Sequence, residues 1–118
     1  MGTFYTRVGA ANPEIGEFQW VDALVDTGAF YTMLPASLLE QTLKLSSTHD
    51  EVFRLADGTL RRFALGEARF KIGDRELNTP VVFGSEGRHL LGAITLQVFG
   101  LIADTTHHKL IPVPELTL

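Results

Sequence analysis

The apolar residues of this chain come in short runs, and this pattern constrains the fold more than any other feature of the sequence. The runs are mostly separated by Gly, Pro and Asp-Gly rather than repeated at helical spacing. Such punctuation is typical of strands joined by turns, because Gly and Asp adopt turn conformations and Pro cannot donate a hydrogen bond to a neighbouring strand. The sequence therefore predicts a mainly β protein with an antiparallel sheet.

The individual elements follow from the same pattern. An Asp-Gly pair at Asp57-Gly58 separates two extended runs and predicts a β-hairpin. Helical turns are expected at residues 35–41, where a proline suits the first turn, and at residues 93–99, which end before Gly100. The polar residues 42–50 predict a connection. Strands are expected at residues 4–8, 18–25, 31–34, 52–55, 60–65, 67–72, 75–77, 81–83, 101–104 and 109–113.

Length and composition limit the classes of protein to consider. The chain has 118 residues, 45% of them hydrophobic, and no cysteine. A chain of this size typically forms one domain with a core that needs no disulfide, so we expect a single domain over residues 1–118. The lack of cysteine excludes thiol nucleophiles and cysteine zinc sites. A net charge of −4 without a basic cluster argues against a nucleic-acid partner.

The sequence also carries no sign of a membrane or secretory segment. Residues 1–4 lack the basic and apolar regions of a secretory signal, and no apolar run approaches the ~20 residues that a membrane helix needs. The absence of cysteine suits a reducing compartment. We therefore expect a cytoplasmic protein with no membrane partner.

The segment with the clearest chemical meaning is Asp26-Thr27-Gly28, which directly follows the apolar Ala23-Leu24-Val25. A carboxylate at the end of a buried strand must be hydrogen-bonded, paired or neutralised, and the glycine lets the backbone turn tightly beside it. A purely structural role, in which Asp26 closes a turn at the strand end, is the alternative. A second motif, Leu90-Leu91-Gly92, ends 66 residues after Asp26 and leads into the expected helix.

These two motifs, with the Asp57-Gly58 hairpin between them, make the sequence resemble the retropepsin-like aspartic peptidases, the retroviral-protease fold family with its bacterial members. The resemblance covers most of the chain and implies an all-β fold, a closed antiparallel β-barrel with one short C-terminal helix. It also implies an aspartic endopeptidase that needs no cofactor and no metal. Its substrate would be a peptide or a protein.

The resemblance assigns roles to particular residues. Asp26 would supply a catalytic carboxylate, with Thr27 and Gly28 completing the catalytic loop and Thr27 locking two such loops together across a two-fold axis. A flap formed by the hairpin would cover the substrate. The implied substrate-binding residues are Ala29, Phe30, Leu55, Ala56, Asp57, Gly58 and Thr59, and the implied supporting residues are Leu90, Leu91 and Gly92.

Aspartic proteolysis uses two carboxylates that share one proton, and this chain contains a single Asp-Thr-Gly. The similar Asp104-Thr105-Thr106 lacks the glycine, so we assign it to a turn. A homodimer would then supply the second carboxylate. Pro112 and Pro114, two residues apart, place the last strand at a sheet edge.

The sequence departs from the retroviral pattern at Phe30 and Ala93. The resemblance implies an acid and an arginine at these positions, which would form an ion pair, and here both are missing together. The flap also lacks a glycine-rich tip, since Gly58 is its one glycine.

Several smaller features allow two interpretations. Arg61-Arg62 could contact an acidic substrate or lie on a solvated strand edge, and Phe30-Tyr31 could line a pocket or fill the core. The adjacent His107 and His108 are expected in a surface turn rather than at a metal. Two other functions stay open: a non-catalytic dimerisation or peptide-binding module on the same fold, and an unrelated β-barrel binder in which Asp26 is structural.

Overall fold

The computed structural model describes residues 3–114, and most of them lie in strands or in the turns that join strands. This confirms the mainly β fold. The strands are β1 (Tyr5–Ala11), β2 (Gln19–Val25), β3 (Thr32–Pro35), β4 (His49–Arg54), β5 (Leu60–Ile72), β6 (Arg75–Gly84), β7 (Leu90–Leu91), β8 (Leu101–Asp104) and β9 (Lys109–Pro112). No helix among the described residues is long and apolar enough to cross a membrane.

Seven strands form one sheet in the order β1-β2-β7-β3-β6-β5-β4, and β1 pairs with β5 as well. The expectation of a wholly antiparallel sheet is wrong, because β2 pairs with β7 in parallel and β3 pairs with β6 in parallel. The first of these pairings follows from the position of β7. This strand is parallel to β2 and antiparallel to β3, so these two neighbours run in opposite directions. A strand inserted between two such neighbours must be parallel to one of them.

The two longest strands run through positions where the sequence predicted breaks. Gly66 lies inside β5 rather than in a turn. The strand needs a glycine at this position because a Cβ there would stand 2.9 Å from the Phe83 ring, which fills the space of a side chain. Pro80 lies inside β6. Its missing N–H is tolerated there because the pairing of β6 with β3 begins only at Val81.

The core lies between the sheet and two short helical segments. Burial alternates along the second half of β5, as expected for a strand with one face on the core; its buried residues are Ala68, Phe70 and Ile72. Helix α1 (Ala93–Phe99) has the predicted bounds and buries Thr95, Leu96 and Phe99. The other helical segment is π-helical at Leu38–Thr42 and buries Leu39, so it lies slightly later in the chain than residues 35–41.

The C-terminal strands β8 and β9 form a separate two-stranded sheet, so β9 lies at a sheet edge, as its prolines predicted. The Asp104 carboxylate accepts hydrogen bonds from the backbone N–H groups of Thr106 and His107. Residues 105–108 form a turn, which confirms that Asp104-Thr105-Thr106 is not a second Asp-Thr-Gly loop.

Candidate active site

The Asp26 loop begins where β2 ends and is fixed by backbone hydrogen bonds. The Asp26 N–H donates to the Leu91 carbonyl at 3.0 Å, and the Ala29 N–H donates to the Asp26 carbonyl at 3.1 Å. The Gly28 N–H donates to Asp26 Oδ1 at 3.0 Å. Within residues 3–114 this is the only hydrogen bond that the Asp26 carboxylate forms, and the residue is half-buried. The second carboxylate oxygen is therefore available to a water, a substrate or another carboxyl group.

The contact between Gly28 and Asp26 is the turn contact that a structural role also predicts. Geometry at this one bond therefore does not separate the two interpretations of Asp26. The difference lies in the surroundings of the carboxylate. A capping aspartate needs only its own turn, whereas this loop is held by β7 and α1 and borders a cleft.

The Leu90-Leu91-Gly92 segment packs against the Asp26 loop and holds it by a backbone hydrogen bond. Leu91 is fully buried. A Cβ on Gly92 would lie 2.4 Å from the carbonyl carbon and oxygen of Tyr31, so only glycine allows this approach. The first N–H groups of a helix have no partner within the helix, and here those of Ala93 and Ile94 donate to the carbonyls of Ala29 and Phe30 at 2.8 and 3.0 Å. The helix start and the loop thus satisfy each other's polar groups.

A chain of three buried threonines lies behind the loop, and sequence analysis did not identify it. Thr32 Oγ1 accepts a hydrogen bond from the Gly92 N–H at 3.0 Å. It also lies 2.6 Å from Thr95 Oγ1, which is 2.9 Å from Thr79 Oγ1. The three side chains are at most 2% exposed. Threonine is common in strands, so the sequence positions carry no signal of this chain, which links β3, β6 and α1 and binds the backbone of Gly92.

The predicted hairpin is present. β4 pairs with β5 in antiparallel register, and the tip closes with hydrogen bonds between Leu55 N–H and the Thr59 carbonyl and between Gly58 N–H and the Leu55 carbonyl. Gly58 has φ +87°, a conformation that favours glycine. Asp57 Oδ1 accepts from the Thr59 hydroxyl at 2.6 Å and from its N–H at 3.0 Å. The hydroxyl contributes most to holding the pKa of Asp57 below its ordinary value, and the backbone N–H adds to it.

An apolar cleft of about 270 Å³ separates the Asp26 loop from the hairpin. Aromatic rings follow one another along it in edge contacts, with centroid distances of 4.9 Å for Phe30 and Tyr31, 5.8 Å for Tyr31 and Phe53, and 5.9 Å for Phe53 and Phe63. Tyr31 therefore lines a pocket. The lining residues are Gly28, Ala29, Phe30, Tyr31, Met33, Phe53, Arg54, Leu55, Phe63, Val82 and Leu90.

The expected substrate-binding residues divide into two groups. Ala29, Phe30 and Leu55 line the cleft, whereas the hairpin tip does not contribute to its walls within this single chain; the tip residues are Ala56, Asp57, Gly58 and Thr59. Sequence analysis missed Phe53, Phe63 and Met33. Phe53 is two residues from Leu55 in an extended run, and this alternation is the signal that could have placed it on the cleft face.

A larger cavity of about 630 Å³ lies elsewhere, between the turn that joins β5 to β6 and the β8–β9 sheet. Asp74 is the one carboxylate among its lining residues, and none of them belongs to the Asp26 loop or the hairpin tip. Size alone does not locate a site. The Asp26-Thr27-Gly28 motif adjoins the smaller cleft, which Gly28 lines, so we place the candidate active site there.

Comparison with known proteins gives the family of the chain. No curated protein matches the chain significantly. The sequence model of a family described as aspartyl protease matches residues 13–96, a stretch that includes the Asp26 loop, the β4–β5 hairpin and Leu90-Leu91-Gly92. Since this match covers most of the chain and agrees with the resemblance carried by its motifs, the chain belongs to the aspartyl protease family.

Proposed function

We propose that the protein is a homodimeric aspartic endopeptidase in which two Asp26 carboxylates, one from each subunit, activate the water that hydrolyses a peptide bond. The observation that carries the proposal is the state of the Asp26 carboxylate. Its Oδ1 is held by the Gly28 N–H, and its other oxygen has no hydrogen-bond partner within residues 3–114. Asp26 lies in a family-matching segment, and although it does not itself line the apolar cleft, Gly28 and Ala29 of its loop do.

The chemistry requires the dimer. Two carboxylates close together share one proton, because both cannot be ionised at short distance. The ionised group accepts a proton from water as the water oxygen attacks the carbonyl carbon, and the protonated group donates its proton to the carbonyl oxygen. When the C–N bond breaks, a proton is delivered to the amine that leaves. One chain has a single Asp-Thr-Gly, so a second copy supplies the other carboxylate.

Other residues of the site are proposed to position these groups. The Gly28 N–H fixes the orientation of the carboxylate, and the exposed Thr27 would bond to the loop of the other subunit. The loop would be held in place by the supporting residues Leu90, Leu91 and Gly92. Residues 55–59 would act as a flap that closes over the bound peptide and excludes water, with Ala29, Phe30 and Leu55 contacting its side chains.

The proposal extends to the architecture and the compartment. The strand pairings run from β1 through β2, β7, β3, β6 and β5 and return to β1, which supports a closed barrel with β4 attached outside it. We take residues 1–118 as a single domain of this type. The absence of cysteine supports the cytoplasm as the compartment.

Replacing Asp26 tests the proposal. Asp26→Asn keeps the shape of the side chain but cannot carry the shared proton, so hydrolysis of a mixed peptide library, followed by mass spectrometry, should fall by at least about 10²–10⁴-fold. Asp22→Asn is the matched control, because Asp22 is an exposed acid on β2, four residues before Asp26, and its one side-chain partner within residues 3–114 is Arg7 at 3.5 Å. Sedimentation of both variants checks that the dimer persists.

Equal turnover by Asp26→Asn and the unchanged protein would refute the proposal. Activity should also be greatest at acidic pH, where the pair retains one proton, and a rise only above about pH 8 would contradict the mechanism. If the unchanged protein and Asp26→Asn bind peptides equally and neither cleaves them, the non-catalytic peptide-binding module is the correct interpretation.

A further inference from the structure

The β4–β5 hairpin has one face toward the cleft and one face away from it. Phe53 and Arg61 are directly opposite each other in the antiparallel register, and opposite residues point to the same side of a sheet. Phe63 follows Arg61 by two residues and shares this side. Phe53 and Phe63 both line the cleft, so Arg61 lies on the cleft face, whereas the adjacent Arg62 lies on the other face.

The Arg61 guanidinium lies over the Phe63 ring, 4.9 Å from its centroid. This stacking leaves the edge of the guanidinium, with its N–H donors, free to bind. Arg61 is exposed and forms no ion pair or side-chain hydrogen bond within residues 3–114. Glu51 lies on the same face but is bonded to His49 at 3.3 Å. Arg61 is not itself among the residues that line the cleft, but it lies over the Phe63 ring of the cleft wall, and its charge has no partner within residues 3–114.

Neighbouring arginines do not share this property. Arg54 is opposite Leu60, on the strand face that also carries Arg62, although it is among the residues that line the cleft; its Nη1 donates to the Gly58 carbonyl at 3.1 Å and helps to hold the hairpin tip. Arg62 is opposite Val52 on the same outer face of the hairpin. Of the three arginines in the part of the hairpin where β4 and β5 pair, residues 49–65, Arg61 alone combines an aromatic support, a position on the face of Phe53 and Phe63, and unused donors.

We propose that Arg61 forms a subsite for an acidic side chain of the bound peptide, next to the aromatic subsite of the cleft. Because the cleft is taken as the substrate site, this inference rests on the proposed function. A guanidinium edge binds a carboxylate through two parallel N–H···O bonds. The preferred substrate is then a peptide in which an aromatic or large aliphatic residue, seated among Phe30, Tyr31, Phe53 and Phe63, has a glutamate or aspartate nearby.

A binding experiment tests the subsite without cleavage of the probe. The probes are fluorescent hexapeptides with a central Phe and with Glu, Gln or Lys placed in turn at each other position, and their affinity for the Asp26→Asn variant is measured by fluorescence anisotropy. At one position Glu should bind about three- to tenfold more tightly than Gln, and Lys should bind more weakly than Gln. Adding Arg61→Gln should remove this preference, and adding Arg62→Gln should preserve it.

Two results would overturn the subsite: the absence of any Glu preference, and an equal loss of preference in the Arg61→Gln and Arg62→Gln backgrounds, which would indicate only a general charge effect. Cleavage of the same peptides separates this inference from the proposed function. If the unchanged protein cleaves the Phe peptides and Asp26→Asn does not, while Glu and Gln peptides bind alike, the subsite is wrong and the peptidase stands. If Asp26→Asn cleaves as well as the unchanged protein, the peptidase is wrong.

Discussion

The three buried threonines behind the Asp26 loop should each stabilise the fold, and their hydrogen bonds should decide how much stability is lost when each one is replaced. Each hydroxyl has one proton to donate. The Thr79 hydroxyl donates to the Pro80 carbonyl at 3.4 Å, so Thr95 must donate to Thr79, and Thr32 must donate to Thr95. Thr32 in turn accepts from the Gly92 N–H. The bonds thus run in one direction from Gly92 to Pro80.

The number of hydrogen bonds that each hydroxyl makes sets the cost of replacing each threonine by valine, which has the same shape and no hydroxyl. Thr95→Val removes two hydrogen bonds, so it should lower the free energy of unfolding by about 2 kcal/mol. Thr79→Val removes one short bond and one long one and should cost about 1 kcal/mol. Thr32→Val removes one bond to Thr95 and leaves the buried Gly92 N–H without a partner, so it should cost about 3 kcal/mol.

Urea unfolding at one fixed protein concentration measures these differences, with the concentration held constant because dimerisation would add to stability. Thr95→Ser is the control: it keeps the hydroxyl and loses one methyl group, at a cost of about 1 kcal/mol. If Thr95→Val unfolds within about 0.5 kcal/mol of the unchanged protein, or if Thr79→Val costs more than Thr32→Val, the threonine chain does not stabilise the fold through the hydrogen bonds assigned to it.

Two further predictions concern the backbone approach at Gly92 and the hairpin tip. Gly92→Ala should lower the free energy of unfolding by about 3 kcal/mol in urea, because its Cβ would lie 2.4 Å from the Tyr31 carbonyl and the loop would have to move; an effect below about 1 kcal/mol would show that the loop yields easily. Thr59→Val should raise the pKa of Asp57 in a carboxyl NMR titration, because it removes the hydroxyl that lowers this pKa most. Since the folded-state pKa is the lower one, the tip should lose stability as pH falls through it, and an unchanged titration in the variant would contradict the assigned cause.

The sequence predicted those parts of the fold that local signals determine. The hairpin at Asp57-Gly58 and the bounds of α1 were correct because an Asp-Gly turn and a glycine after a helix act on their own neighbours. The split of β5 at Gly66 was wrong for the opposite reason. That glycine is required by the Phe83 ring, a residue distant in sequence, and no local pattern reports such a contact.

The candidate site likewise has parts that local motifs predicted and parts that depend on contacts between distant residues. The Asp26 loop and Leu90-Leu91-Gly92 were found as motifs, and the structure brings them together through the bond from the Asp26 N–H to the Leu91 carbonyl. The parallel pairing of β7 with β2 was not predicted, because a strand of two residues has no periodicity to detect. The threonine chain was missed because its members come from three elements and meet only in the folded core.

The structure shows what joins the loop to the helix at Phe30 and Ala93, where the resemblance implies an ion pair that this chain lacks. The backbone of these two positions still joins the loop to the helix, because the Ala93 and Ile94 N–H groups donate to the carbonyls of Ala29 and Phe30. The Phe30 side chain is 62% exposed and contacts Tyr31 at the start of the aromatic series along the cleft. Without charges at these two positions, the desolvation of two ions is avoided. An aromatic ring, rather than a charge, therefore lies next to the carboxylate loop, and the series of rings continues from Phe30 to Phe63, where it adjoins the acidic subsite that we propose at Arg61.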